Sequence, residues 1–127
     1  MSAQGKQWPG ATALKDEASV ALLRAAWRQV CELTDIPRLG ARVVKSQQGD
    51  IAVFRNAEDE VFALRDKCPH KGGPLSQGIV FGRTVSCPLH NLNIQLEDGH
   101  AVKPDEGCTA SFLAKVEKGR VYLYLPL

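Results

Sequence analysis

From Trp27 onward, apolar positions fall into short runs separated by turn-forming residues. Trp27 to Leu33 comes first. Arg42 to Ser46 and Ile51 to Arg55 flank Gln47-Gln48-Gly49-Asp50, a hairpin turn. Val61 to Leu64 follows the polar turn Asn56 to Glu60, and Arg83 to Ser86 comes later. Leu92 to Leu96 runs into Glu97-Asp98-Gly99, another turn signal. Phe112 to Val116 and Val121 to Leu125 flank Lys118-Gly119-Arg120. In the last run Val121, Leu123 and Leu125 share one face, and Tyr122 and Tyr124 take the other. Many short strands at near-regular spacing predict an all-β fold of antiparallel sheets, a sandwich or small barrel.

The first 26 residues read differently. Residues 1–11 form a tail containing Trp8-Pro9-Gly10, and 13–26 predict a short helix with Leu14, Ala18, Ala21, Leu22 and Ala25 at helical spacing. Asp16 and Glu17 near its start, and Arg24 and Arg28 near its end, suit the helix dipole. The expected division is a tail and short helix over 1–26 and a β domain over 27–127. The helix packs on the side of that domain or serves as a contact arm for a partner.

Composition narrows the classes. A chain of 127 residues is one domain by length, and it buries roughly two-thirds of its unfolded surface without needing disulfides. A net charge of +2, with no concentrated Lys/Arg run, argues against nucleic acid. No run reaches the roughly 18 apolar residues of a membrane span, and Met1 to Gly10 lacks the apolar stretch of a secretory signal. A cytoplasmic location is expected.

Two short arms carry the candidate chemistry. Cys68-Pro69-His70 and Cys87-Pro88-Leu89-His90 each offer one thiolate and one imidazole. Both arms sit among turn-formers, with Lys71-Gly72-Gly73-Pro74 after the first and Pro88 inside the second. Such loops let backbone approach an inorganic core closely. The four side chains can divide into a two-sulfur and a two-nitrogen end, the division a binuclear Cys₂/His₂ iron–sulfur centre requires. Two ferric ions, two sulfides and two thiolates sum to zero charge. Neutral imidazoles therefore ease uptake of one electron relative to an all-cysteine centre. Leu75, Leu89, Leu92 and Ile94 are expected to keep water off the sulfides. Zinc also takes Cys₂His₂, although structural zinc usually has two to four residues between paired ligands and Cys68 and His70 have one. Cys31 and Cys108 stand apart and are expected to be ordinary buried thiols. His100, just past the Asp98-Gly99 turn, is expected at the surface.

With these arms read, residues 27–126 resemble a Rieske-type [2Fe–2S] protein. The finer wording is Cys-Pro-His-Lys-Gly-Gly-Pro-Leu-Ser at 68–76, Gly78-Ile79-Val80, Cys-Pro-Leu-His-Asn at 87–91 and Gly107-Cys108. It resembles the small subunit of assimilatory NAD(P)H-dependent nitrite reductase. The resemblance implies one [2Fe–2S] cluster, with Cys68 and Cys87 on a buried iron and His70 and His90 on an outer one. Gly72, Gly73 and Pro74 would shape the first loop, and Lys103-Pro104-Asp105-Glu106-Gly107 resembles the Pro-containing loop that covers the cluster. It also implies an oxidoreductase subunit that is not catalytic alone. Its partner would be a large flavin and sirohaem subunit that takes nitrite to ammonium in nitrate assimilation.

Respiratory Rieske proteins carry an extra Cys pair, at positions matching Gly73 and Leu89, and hydroxyl donors at positions matching Leu92 and Ile94. Their absence here implies a low potential for the class. Two other functions share the same residues. One is a free-standing Rieske ferredoxin feeding an aromatic-ring dioxygenase. The other is a non-redox interaction subunit holding zinc or no metal.

Overall fold

The computed structural model describes residues 26–47, 49–69, 72–88 and 91–125. The helix expected over 13–26 lies outside these residues, save that Ala26 opens the first strand. The described chain is built from ten short strands and two 3-10 turns. The strands are β1 (Ala26–Glu32), β2 (Gly40–Val44), β3 (Ile51–Arg55), β4 (Val61–Arg65) and β5 (Ile79–Phe81). They continue with β6 (Thr84–Ser86), β7 (Asn93–Gln95), β8 (Ser111–Phe112), β9 (Ala114–Glu117) and β10 (Arg120–Leu125). All pairings are antiparallel, in three sheets ordered β1-β10-β9, β2-β3-β4-β8 and β5-β6-β7.

Strand β3 explains how the sheets stack. Its run Ile51-Ala52-Val53-Phe54 is fully buried on both faces. Because successive side chains point to opposite faces, the run splits between two cores. Ile51 and Val53, with Ala63, meet Val121, Leu123, Leu125 and Cys31 from the first sheet. Ala52 and Phe54, with Leu64, meet Leu75, Val80, Val85, Leu92, Ile94, Leu96 and both Cys68 and Cys87. The four-stranded sheet is thus the middle layer, and the cysteines lie in the core between it and the β5-β6-β7 sheet.

Polar contacts tie these layers at one edge. Asn56 is completely buried and fully used: its amide donates to Glu60 Oε1 (2.8 Å) and the Gly82 carbonyl (3.1 Å), and its Oδ1 accepts the N–H groups of Glu58 and Glu60. Arg83 adds ion pairs to Glu60 (2.6 Å) and Glu97 (2.8 Å). Burying an amide without partners costs free energy, so this satisfied node fixes the β3–β4 turn against the β5–β6 turn.

Several strands differ from the sequence reading. β5 was not expected, and the run Phe112 to Val116 is two strands rather than one. β8 pairs with β4 in the middle sheet and β9 with β10 in the first, with exposed Leu113 at the crossing.

Candidate metal centre

The two cysteines reach the core on loops built alike. After Cys68, the Cys68 N–H donates to the Gly73 carbonyl (2.7 Å) and the Gly72 N–H returns to the Cys68 carbonyl (2.8 Å). After Cys87, the Cys87 N–H donates to the Leu92 carbonyl (2.8 Å) and the Asn91 N–H returns to the Cys87 carbonyl (3.0 Å). Both returning residues have positive φ, 72° at Gly72 and 59° at Asn91. A left-handed residue reverses the chain and folds each loop back on its cysteine.

Both thiols are buried, Cys68 at 1% and Cys87 at 0% exposure, and neither is in a disulfide. Leu75, Leu92 and Ile94 share their apolar cluster, as expected. Leu89 lies outside the described residues, as do His70 and His90. Among the described residues no three metal-ligating side chains converge. Between the 3-10 turn Leu75–Gln77 and β5, Gly78 packs tightly against the end of β6 that leads into Cys87: a Cβ there would meet the Ser86 carbonyl oxygen at 2.3 Å.

Buried thiols without a disulfide, on tightly reversing loops in an apolar enclosure, fit a thiolate-bound inorganic centre. The donors are soft, as iron–sulfur chemistry demands, and the enclosure limits water access.

The remaining candidates separate clearly. Cys31 is buried as expected, and that burial raises its thiol pKa, which leaves it inert. Cys108 is exposed, which corrects the expectation of burial. It forms an isolated bridge with His100, which is likewise exposed. His100 is at the surface, as expected. Residues 103–107 are exposed, and the Ala101 N–H donates to the Gly107 carbonyl at 2.9 Å to close their loop. The loop borders an open groove of about 620 Å³ with Gln95 and His100, and neither cysteine lines it. Asn56 and Asp66 were not singled out from sequence; their roles depend on partners distant along the chain.

Residues 26–124 match the family model described as a Rieske-like [2Fe-2S] domain. The chain is 33% identical over 96 residues to the 3-phenylpropionate/cinnamic acid dioxygenase ferredoxin subunit of Photorhabdus laumondii, covering 74% of this chain and 90% of that protein. It is 29% identical over 115 residues to the tert-butanol monooxygenase oxygenase subunit of Aquincola tertiaricarbonis, spanning 81% of this chain but 24% of that longer protein. In fold it is similar to a candidate NADH-dependent nitrite reductase small subunit from Mycobacterium tuberculosis, with a TM-score of 0.72 at 23% identity over 81% of this chain and 97% of that one. A ferredoxin seen in complex with the oxygenase of carbazole 1,9a-dioxygenase aligns with a TM-score of 0.67 at 27% identity, over 77% of this chain and 92% of that one.

Proposed function

The chain belongs to the Rieske-like [2Fe–2S] domain family, and from that premise we propose that it is the electron-transfer small subunit of an NAD(P)H nitrite reductase. Its cofactor is a Rieske-type [2Fe–2S] cluster, and when bound that group supplies one-electron uptake and release. In the proposed assignment Cys68 and Cys87 hold one iron through thiolates, and His70 and His90 hold the other through imidazoles. The observation that carries electron transfer is the burial of Cys68 and Cys87 in one apolar cluster on matching loops. The protein's own part is to keep those thiols dry and fixed, so that little rearranges when charge arrives.

The nitrite reductase reading is supported by the wording of residues 68–76, 78–80, 87–91 and 107–108. The fold shared with candidate small subunits, over 97% of their length, agrees with it. The partner is then a larger flavin and sirohaem subunit, and the location cytoplasmic, where NAD(P)H is available. Among the described residues no helix is long and apolar enough to cross a membrane. The family match begins at residue 26, so residues 1–25 lie outside it.

Co-expression with a candidate large subunit tests this. A stable complex is expected, with nitrite-dependent NAD(P)H oxidation that needs both chains. The second reading, a ferredoxin for an aromatic-ring dioxygenase, is favoured by the 33% identity to a protein of that kind over most of its length. Support of ring hydroxylation by an oxygenase, with no effect on nitrite turnover, would select it. For the ligands, Cys68→Ser and Cys87→Ser are expected to abolish the visible absorption and the EPR signal of the reduced protein, while Cys108→Ser leaves both intact. Colourless, iron-free protein from anaerobic expression would instead favour a non-redox subunit.

A further inference from the structure

The outer ends of the two cysteine loops are held in different ways. The second loop hangs from a hairpin. Ser86 and Asn93 are paired partners on β6 and β7, so a sheet ladder pins both of its ends. Among the described residues the first loop has no such ladder. β4 ends at Arg65, and regular structure resumes only at the 3-10 turn Leu75–Gln77. No disulfide braces it either, because Cys68 is the one cysteine in the stretch 66–76 and is unbridged.

One side chain spans that gap. Asp66 Oδ1 accepts the backbone N–H of Ser76 at 2.7 Å, and Asp66 Oδ2 accepts the Ser76 hydroxyl at 2.8 Å. Asp66 is itself anchored, since its N–H donates to the Asp50 carbonyl at the start of β3 (2.9 Å). Hydrogen bonds to a carboxylate are short and roughly twice as strong as neutral ones. We infer that Asp66 is the positioning residue of the first ligand loop. Through Ser76 it holds Cys68 in place, as the β6–β7 ladder holds Cys87. The inference rests on the assignment of Cys68 as a ligand, and not on which partner receives the electron.

The test is hydrogen exchange in the full-length chain, read by mass spectrometry over 67–73 and 87–92, with and without bound iron. In Asp66→Ala, residues 67–73 are expected to exchange at least about tenfold faster, the factor implied by losing one charge-assisted hydrogen bond. Residues 87–92 should be unchanged, and iron release to a chelator should speed up. Asp66→Asn keeps an acceptor for the Ser76 N–H and is expected to restore most of the protection. If Asp66→Ala does not fold, Ser76→Ala decides the matter, since it removes the hydroxyl contact alone and predicts the same loop-selective change. Unchanged exchange over 67–73, or equal acceleration in both loops, overturns the inference. The exchange pattern of iron-free protein is independent of the ligand assignment, which Cys68→Ser tests separately.

Discussion

Gly72 and Asn91 occupy the same position in separate loops. Each lies four residues after a cysteine, each has positive φ, and each returns its N–H to that cysteine's carbonyl. One position uses the residue that adopts this conformation without steric cost. The other uses the side chain that tolerates it best among the rest. Asn91→Gly should therefore preserve stability and cluster content. Asn91→Val should destabilise by about 1–3 kcal/mol, the cost of forcing a β-branched residue into the left-handed region that Asn tolerates, and lose iron faster. Chemical denaturation and iron release measure both. Equal stability of the Val and Gly variants would show that the turn does not constrain the loop.

Gly78 is a different kind of glycine. Its φ of −81° suits any residue, but an added Cβ would lie 2.3 Å from the Ser86 carbonyl oxygen and 2.9 Å from Val85 Cγ2. Backbone on the far side cannot swing away as a flexible side chain can. Gly78→Ala is expected to cost about 1–3 kcal/mol or more, the range for overpacking. Because Ser86 precedes Cys87, cluster yield should fall as well. Gly82 makes the contrast: its φ is 58° and nothing stands within 4 Å of a Cβ, so Gly82→Asn should be tolerated. A melting temperature for Gly78→Ala equal to the parent's would contradict the close approach.

These loops also show what the sequence could convey. Cysteine and histidine at short spacing, set among glycine and proline, are local signals, and the loops are local structures. The hairpin at 47–50 was legible for the same reason. Strand β5 was not, because its exposed Ile79 and Phe81 flank a buried Val80, which reverses the usual weighting of a half-buried strand. The break at Leu113 was hidden because Phe112 to Val116 is continuous in character while the chain changes sheets within it. Asn56 looked like an ordinary turn residue, since its partner Gly82 is distant in sequence. The role of Asp66 is hidden in the sequence for the same reason, as Ser76 lies across the whole first loop. The uninterrupted apolar run Ile51 to Phe54 did carry an unused signal of a strand buried on both faces.

Acid should weaken the fold through the edge node. The Arg83 guanidinium, and then the Asn56 amide, hold the Glu60 carboxyl below its ordinary value of 4.5, with burial opposing. Arg55, then Arg38, do the same for Asp59, ordinarily near 3.8. As pH falls, the unfolded chain takes up protons before the folded one, so folding loses stability in acid. The contribution is complete above the unfolded carboxylate values of roughly 4 and disappears as pH drops through the lower, folded ones. Both groups are well hydrated, so the effect is modest. The melting temperature should stay flat near neutrality and fall below about pH 4, with a shallower fall in Glu60→Gln. An identical slope in that variant would remove Glu60 from the account.

The reduction potential follows from where the donors go. A centre that gains an electron gains negative charge, and hydrogen bonds to its sulfurs favour the reduced form. In both loops the backbone donors of Cys68, Gly72, Cys87 and Asn91 are already committed to carbonyls. Leu92 and Ile94, at positions where respiratory relatives are expected to carry hydroxyls, are buried and apolar in the same cluster as both cysteines. The midpoint is therefore expected near the bottom of the roughly −150 to +300 mV range of Rieske centres. Ile94→Thr replaces the ethyl arm of a fully buried side chain with a hydroxyl; the smaller side chain should cost some stability, and the midpoint should move upward if that hydroxyl turns to the cluster. Redox titration followed by EPR measures both proteins. A strongly positive midpoint in the parent would mean that donors other than these loop amides reach the sulfurs.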